Sequence, residues 1–253
     1  MSQSNDAHPI GIDFGGSGIK AAPVDLDRGD FAAERVRIET PQPSTPDAVA
    51  EVFAELASSF DADDGGTPVG VTVPGVVRDG VVSTAANIDP SWVGVDAAAL
   101  FSQAAGRPVF AVNDADAAGL AEAHFGAARG QKGLVIVTTL GTGIGSALLH
   151  DGVLLPNSEL GHLEIDGRNA ESHAANSARE KHDLSWEEWA ERLTTYYRTV
   201  EGLLTPDLFV VGGGVSKHAD KFLPMVDITT PIIPAVLRNK AGIVGAALYA
   251  TRR

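Results

Sequence analysis

Three glycine-rich turns, each placed directly after an apolar run, constrain this chain more than any other feature. They are Ile10-Gly-Ile-Asp-Phe-Gly-Gly-Ser-Gly-Ile-Lys20, Leu134-Val-Ile-Val-Thr-Thr-Leu-Gly-Thr-Gly-Ile-Gly145 and Leu208-Phe-Val-Val-Gly-Gly-Gly-Val215. Glycine lets a backbone reverse tightly and lets its N–H groups come close to an anion. Between the first and second turns, Asn113-Asp114 closes another strand-like run, Val109-Phe-Ala-Val112. Three such turns with a carboxylate at a strand end read as an apparatus for holding phosphate and moving it.

The two common nucleotide motifs do not fit. Gly141, Gly143 and Gly145 lack the G-x-G-x-x-G spacing. So do Gly15, Gly16 and Gly18, which lead into a strand rather than a helix. No Gly-Lys pair occurs, so there is no P-loop.

The order of elements points to a duplication. After the first turn, Ile19–Leu26 reads as a strand because Pro23 sits inside it. Glu34–Glu39 alternates as a third strand. Thr45-Pro46 opens a helix with Val49, Val52, Phe53, Leu56 and Phe60 on one face. Val69–Val73 and Val109–Val112 are strands, and Ala115–His124 is a helix. The second half runs similarly: strands at Leu134–Leu140 and Gly145–Leu149, a turn at His150-Asp-Gly152, then Val153–Leu155. Ser185–Leu204 is a long helix opened by a Ser185/Glu188 capping box. Leu208–Val211 is a strand and Ala241–Tyr249 a closing helix. Asp166–Lys181 is polar and without period, and reads as a loop or irregular helix. Two similar lobes with a cleft between them follow as the expectation, and ligands favour such junctions.

At 253 residues and 44% hydrophobic, the chain can bury a substantial core. It has no cysteine, which removes disulfides and Cys-ligated metals. Its formal charge of −14 argues against nucleic-acid binding. Acids at Asp25, Asp27 and Asp30 and at Asp61, Asp63 and Asp64 read as solvated loops. Residues 1–9 lack the apolar centre of a secretory signal, and no apolar run is long enough to span a membrane. The expectation is a soluble cytoplasmic protein.

Asp13, just ahead of the first turn and near Lys20, suits a Mg2+ held through water; a turn-capping aspartate is the rival. Asp114 suits a general base that accepts the proton of an attacking hydroxyl; a helix cap is its rival. Asp116 reads as structural. Glu159 and His162, spaced i, i+3, share one side of a turn and suit adjacent sugar hydroxyls. Two metal ligands, with His173 as a third, or a surface ion pair are the alternatives. Basic groups at Arg129 and Lys132, at Arg179, Lys181 and His182, at Lys217, His218 and Lys221, and at Arg238 and Lys240 can gather at a phosphate channel.

With these pieces in order along nearly the whole chain, the sequence resembles the ROK family of sugar kinases, within the actin–hexokinase–Hsp70 superfamily. The matching segments are Ile12-Asp-Phe-Gly-Gly-Ser-Gly18, Pro74-Gly75, Val112-Asn-Asp114, Leu140-Gly-Thr-Gly-Ile-Gly145, Glu159-Leu-Gly-His162 and Val211-Gly-Gly-Gly214. The short length and Leu237–Gly245 more narrowly resemble the actinobacterial polyphosphate glucokinases.

The resemblance implies an α/β, actin-like (ribonuclease H-like) duplicated fold. Its N-terminal lobe would span 1–112, with the closing helix 241–253 packed back on it, and its C-terminal lobe 113–240. It implies phosphorylation of the glucose 6-hydroxyl by inorganic polyphosphate and ATP, with Mg2+ and with Asp114 as base. Asn87, Asn113, Glu159, His162 and Glu171 would contact the sugar. Asp13, Gly15, Gly16, Ser17, Gly18, Lys20, Thr142, Gly143, Gly213 and Gly214 would surround the phosphoryl donor. A homodimer is the family expectation, and mannose is an alternative acceptor. Many ROK proteins carry a cysteine-rich zinc loop after Glu-x-Gly-His. Here Leu163–Glu171 has no cysteine, so no structural zinc is expected and another group must orient His162. A strictly ATP-dependent hexose kinase, a kinase for another acceptor such as pantothenate, and a non-catalytic sugar sensor are the competing readings.

Overall fold

The computed structural model describes residues 8–60 and 67–253. The acidic group Asp61, Asp63 and Asp64, and most of the N-terminal segment tested for a secretory signal, lie outside the described residues. Two compact units emerge, Met1–Ala117 with Gly242–Arg253, and Ala118–Ala241.

The first unit contains β1 (Ile10–Gly15), β2 (Gly18–Asp25), β3 (Asp30–Phe31), β4 (Val36–Ile38), α1 (Pro46–Ser58), β5 (Val69–Val73), β6 (Val77–Arg78), β7 (Val81–Val82), α2 (Ala97–Ala105), β8 (Val109–Asn113) and the start of α3 (Asp114–Phe125). The second contains β9 (Leu134–Leu140), β10 (Ile144–His150), β11 (Val153–Leu155), β12 (Glu164–Ile165), β13 (Arg168–Asn169), α4 (Ala170–Ala174), α5 (Asn176–Lys181), α6 (Trp186–Leu204), β14 (Leu208–Gly212) and β15 (Ile232–Pro234). The closing helix α7 (Ala241–Ala250) belongs, from Gly242 on, to the first unit.

The two main sheets repeat one topology. In the first, the order is β3-β2-β1-β5-β8, with β1–β2–β3 antiparallel and β1–β5–β8 parallel. In the second, it is β11-β10-β9-β14-β15, again an antiparallel hairpin series followed by two parallel additions. The duplication lies in hydrogen-bond register, where side-chain identity is free to drift.

The turns follow local chemistry. Gly15 pairs with Gly18 across the two-residue turn Gly16-Ser17. His150 pairs with Val153 across Asp151-Gly152, both at positive φ, as a type I′ hairpin demands. The α6 capping box forms with both arms: Ser185 Oγ accepts from Glu188 N–H, and Glu188 Oε2 accepts from Ser185 N–H. Both Tyr196 and Tyr197 lie on the buried face of α6, beside Trp189, Leu193 and Val200. Asp25 and Asp30 accept backbone N–H groups of Asp27, Arg28 and Phe31, so these acids build a turn as well as meeting solvent.

Three segments depart from the sequence pattern. The strand expected at Glu34–Glu39 is only Val36–Ile38 and pairs with the start of β2, while Asp30–Phe31 pairs with its end. Of the two readings of Asp166–Lys181, the irregular helix is nearer than the loop. The segment takes in β13, α4 and α5, short elements whose buried contacts are mostly alanines, too few to show a period. Finally α2, which the apolar pattern leaves unassigned, is marked by its ends, with the Asp96 side chain as N-cap and Gly106 in the left-handed region as C-cap.

Each unit has its own core. The first is built on Phe14, Phe53, Trp92 and Phe101, and the second on Trp189, Tyr196, Tyr197, Phe209 and Phe222. The small residues of α7 follow from backbone-to-backbone packing. A Cβ on Gly11 of β1 would come within 1.9 Å of the Ile243 carbonyl, and one on Gly70 of β5 within 1.9 Å of the Ala246 carbonyl.

Candidate active site

In the first unit, β1 delivers Asp13 to the edge of the glycine turn. Its Oδ2 lies 3.4 Å from Lys20 Nζ on β2, opposite it in the register. Its Oδ1 accepts from Thr72 Oγ1 on β5 at 3.1 Å, and the same hydroxyl accepts from the Phe14 N–H. Gly242, in the first turn of α7, leaves room for the carboxylate: a Cβ there would stand 2.9 Å from Asp13 Oδ1. Asp13 is therefore an oriented group rather than a turn cap.

The carbonyls of the first turn are anchored from outside. Thr40 Oγ1 donates to Gly15, Gln42 Nε2 to Gly16, and Arg37 Nη2 to Ser17. Exposed Asn87 is a neighbour of this turn, its carbonyl about 4.0 Å from where a Gly16 Cβ would sit.

At the end of β8, the capping of α3 falls to the neighbour of Asp114. Asn113 Oδ1 accepts from the Asp116 N–H at 3.0 Å, the bond of an N-cap, and Asn113 Nδ2 donates to the Gly75 carbonyl. Asn113 thus caps α3 and ties β8 to the Pro74-Gly75 turn. Asp114 Oδ1 accepts from the adjoining Ala115 N–H, and its side chain is half-buried at the strand end.

In the second unit, Glu159, His162 and Glu171 come together. His162 Nδ1 lies 3.6 Å from Glu159 Oε2, and Nε2 lies 3.6 Å from Glu171 Oε1. The carboxylates sit on opposite edges of the ring, so the three groups do not converge on a common point as metal ligands must. Among the described residues no cluster of three or more His, Cys, Asp or Glu side chains could hold a metal ion. Glu171 also accepts from the Ile144 N–H at 3.1 Å, which fastens it to the second glycine turn. The two glutamates are what orient His162. Burial raises the Glu159 carboxyl above its ordinary range, against the pull of His162 and with the push of Glu171.

The second and third glycine turns meet in this unit. A Cβ on Gly213, itself at φ 82°, would fall 2.3 Å from the Leu140 carbonyl. One on Gly161 would fall 2.1 Å from the Ile144 carbonyl. Thr142 and Gly143 lie between these contacts, and Ser177 pins their loop by donating to the Gly141 and Thr142 carbonyls. The Arg179 guanidinium stacks 4.2 Å from the Trp186 ring centre, with Lys221 Nζ at 5.7 Å and the His218 ring at 5.7 Å. The Arg238–Lys240 turn packs against Gly214–Lys221. Members of three of the four basic groups therefore come together after the third glycine turn, and Arg129 and Lys132 are exposed.

The ROK family model matches residues 9–174. The chain belongs to the ROK family. Among its relatives, polyphosphate glucokinase of Mycobacterium tuberculosis (strain CDC 1551 / Oshkosh) is 50% identical over 242 residues, covering 95% of this chain and 90% of the relative. The crystal structure of the inorganic polyphosphate/ATP-glucomannokinase from Arthrobacter sp. strain KM superposes with a TM-score of 0.95 at 55% identity, covering 98% of this chain and 99% of that one. A ROK family glucokinase from Streptomyces griseus, in complex with glucose and AMPPNP, shares the fold at TM-score 0.84 and 24% identity, covering 97% and 99%.

This ROK chain has the actin-like α/β fold, each main sheet one copy of the duplicated pattern. Sequence reasoning missed Thr72, Ser177 and the trio Arg37, Thr40 and Gln42. Nothing local marks them, because each acts on a turn far from it in sequence. Among the described residues no helix is long and apolar enough to cross a membrane.

Proposed function

We propose that this ROK protein is a glucokinase that transfers a phosphoryl group from inorganic polyphosphate or ATP to the 6-hydroxyl of glucose. One observation carries the reading. Over nearly its full length the chain is 50–55% identical to proteins named polyphosphate glucokinase and polyphosphate/ATP-glucomannokinase. The oriented groups described above match what such a transfer needs.

Asp114 is the general base, accepting the hydroxyl proton as the oxygen attacks. The Asn113 cap supports this by taking over the N-terminus of α3. Glu159, His162 and Glu171 read the remaining sugar hydroxyls, with Asn87 and Asn113 as further contacts. An imidazole held between two carboxylates presents a fixed donor–acceptor pattern to adjacent hydroxyls. The N–H groups of the turn Gly15–Gly18, and Thr142, Gly143, Gly213 and Gly214, cradle phosphate oxygens.

Asp13 would hold a Mg2+ through water. A single oriented carboxylate suits a hydrated ion that arrives on the donor's phosphates. When bound, that ion neutralises charge on the transferring group. Lys20, beside Asp13, places a second positive charge there. The cations around Trp186 favour a polyanionic donor in a chain of net charge −14. Mannose as a second acceptor, and a homodimer, belong to the same proposal.

A coupled glucose 6-phosphate assay with Mg2+, glucose and either donor tests this. Asp114→Asn is expected to lose ~10²–10⁴-fold in turnover with its melting temperature kept. Near-normal turnover in that variant removes the base assignment, and no product with either donor removes the kinase.

A further inference from the structure

A cavity of about 120 Å³ opens in the second unit, away from the glycine turns. The β12–β13 hairpin supplies Ile165, Asp166 and Arg168, α4 supplies Ala170, His173 and Ala174, and α6 supplies Arg192, Thr195 and Tyr196. Its polar wall is dominated by hydrogen-bond donors. Two guanidiniums and an imidazole face a single carboxylate, that of exposed Asp166. Neither Arg168 nor Arg192 has a carboxylate partner within ion-pair distance among the described residues; Arg192 Nη1 donates to the His173 carbonyl.

The wall also holds Tyr196, about 1% exposed, whose hydroxyl finds no hydrogen-bond partner in the protein. Buried hydroxyls are almost always satisfied, so an unpaired one on a residue that lines a cavity points to something the cavity is built to meet. Burial, with Tyr197 and Glu171 nearby, holds the Tyr196 phenol protonated and hence a donor. Burial lowers the His173 pKa, and Arg192, Arg168 and His182 push it the same way.

Size narrows the ligand. The volume is several times the ~10–15 Å³ that one water needs, yet well short of the ~300 Å³ of a drug-sized or nucleotide pocket. Guanidiniums match phosphate oxygens bidentately, and a phenol can supply one more donor.

We propose that this cavity is a binding site for a small phosphate-class oxyanion, held by Arg168, Arg192 and the Tyr196 hydroxyl. The site does not depend on the kinase reading. It does bear on the sugar side, because the short helix α4 carries both His173 of the cavity wall and Glu171, which orients His162.

Calorimetric titration at constant ionic strength tests it, with orthophosphate, glucose 6-phosphate and acetate titrated separately into the full chain and into Arg168→Ala and Tyr196→Phe. Orthophosphate is expected to bind, and Arg168→Ala to lose about ten-fold or more in affinity for one equivalent of it. Tyr196→Phe should lose several-fold without a lower melting temperature, since the hydroxyl it removes has no partner in the protein. Binding of the ester alone, weakened by the same substitutions, supports the site and assigns the ester as its ligand. Phosphate heats equal in all three proteins overturn the proposal, as does acetate binding as tightly as phosphate. Arg168 is exposed, so its variant keeps the test decisive if Tyr196→Phe does not fold.

Discussion

Replacing Thr72 by valine keeps the volume of the side chain and removes one hydroxyl that does two jobs. That hydroxyl accepts from the buried Phe14 N–H and donates to Asp13 Oδ1, each at 3.1 Å. Thr72 is fully buried on β5, so water does not replace either bond. Leaving the Phe14 N–H unpaired costs ~1–3 kcal/mol, which for a chain of this size is a fall of ~2–12 °C in melting temperature. On the functional side, Asp13, a charged acceptor, loses the hydrogen bond donated by Thr72, worth ~1.5–3 kcal/mol, and keeps Lys20 at 3.4 Å. If Asp13 must be oriented to serve the donor, kcat/KM for the donor falls by up to ~10–100-fold, while KM for glucose changes little. Thr72→Ser keeps the hydroxyl and should recover most of the loss in activity. The assays are a thermal melt and steady-state kinetics with the donor varied at saturating glucose. A Thr72→Val protein with unchanged melting temperature and unchanged kcat/KM refutes the positioning argument. So does a serine variant as impaired as the valine one.

Glu122 gives a second stability prediction. It is fully buried and accepts from the N–H groups of Ala127, Val236 and Leu237. Glutamine can keep the Oε2 side but sets its amide against the Leu237 N–H, so Glu122→Gln should cost ~2–4 kcal/mol in chemical denaturation. Glu159 supplies a pH prediction. Its folded pKa is raised, chiefly by burial, so the folded state binds this proton more tightly than the unfolded chain. Stability from this group is therefore present below the ordinary glutamate value and lost as pH rises through the raised one. Glu159→Gln should melt no lower than wild type at pH 7, lose that advantage as the pH is taken below the glutamate range, and raise KM for glucose. A Glu159→Gln protein that is less stable at pH 7 but not at pH 4 contradicts the sign.

Much of the fold is legible in the chain because its signals are local. Apolar runs, the two-residue turns at Gly16-Ser17 and Asp151-Gly152, and the Ser185/Glu188 capping box each need only neighbours in sequence. The Asp166–Lys181 region was legible as polar and irregular but not as hairpin and helices, since elements of two to six residues bury too little to print a period. The candidate site was legible as a set of residue types. Asp13, Asp114, Glu159 and His162 stand out by chemistry and by their place at strand ends or turns.

Tertiary structure decided what those residues are tied to. Asn113 and not Asp114 caps α3, a choice between adjacent residues set by how β8 meets the Pro74-Gly75 turn. Glu171 holds the Ile144 N–H from 27 residues away in sequence while it also faces His162, and Thr72 orients Asp13 from 59 residues away. Arg179 and Lys221 share Trp186 only because α5, α6 and the segment after β14 pack together. The physical reason is the same throughout. A strand or a turn is stabilised by residues a few positions apart, whereas the orientation of a charged side chain depends on partners that only the packed core brings within hydrogen-bond range.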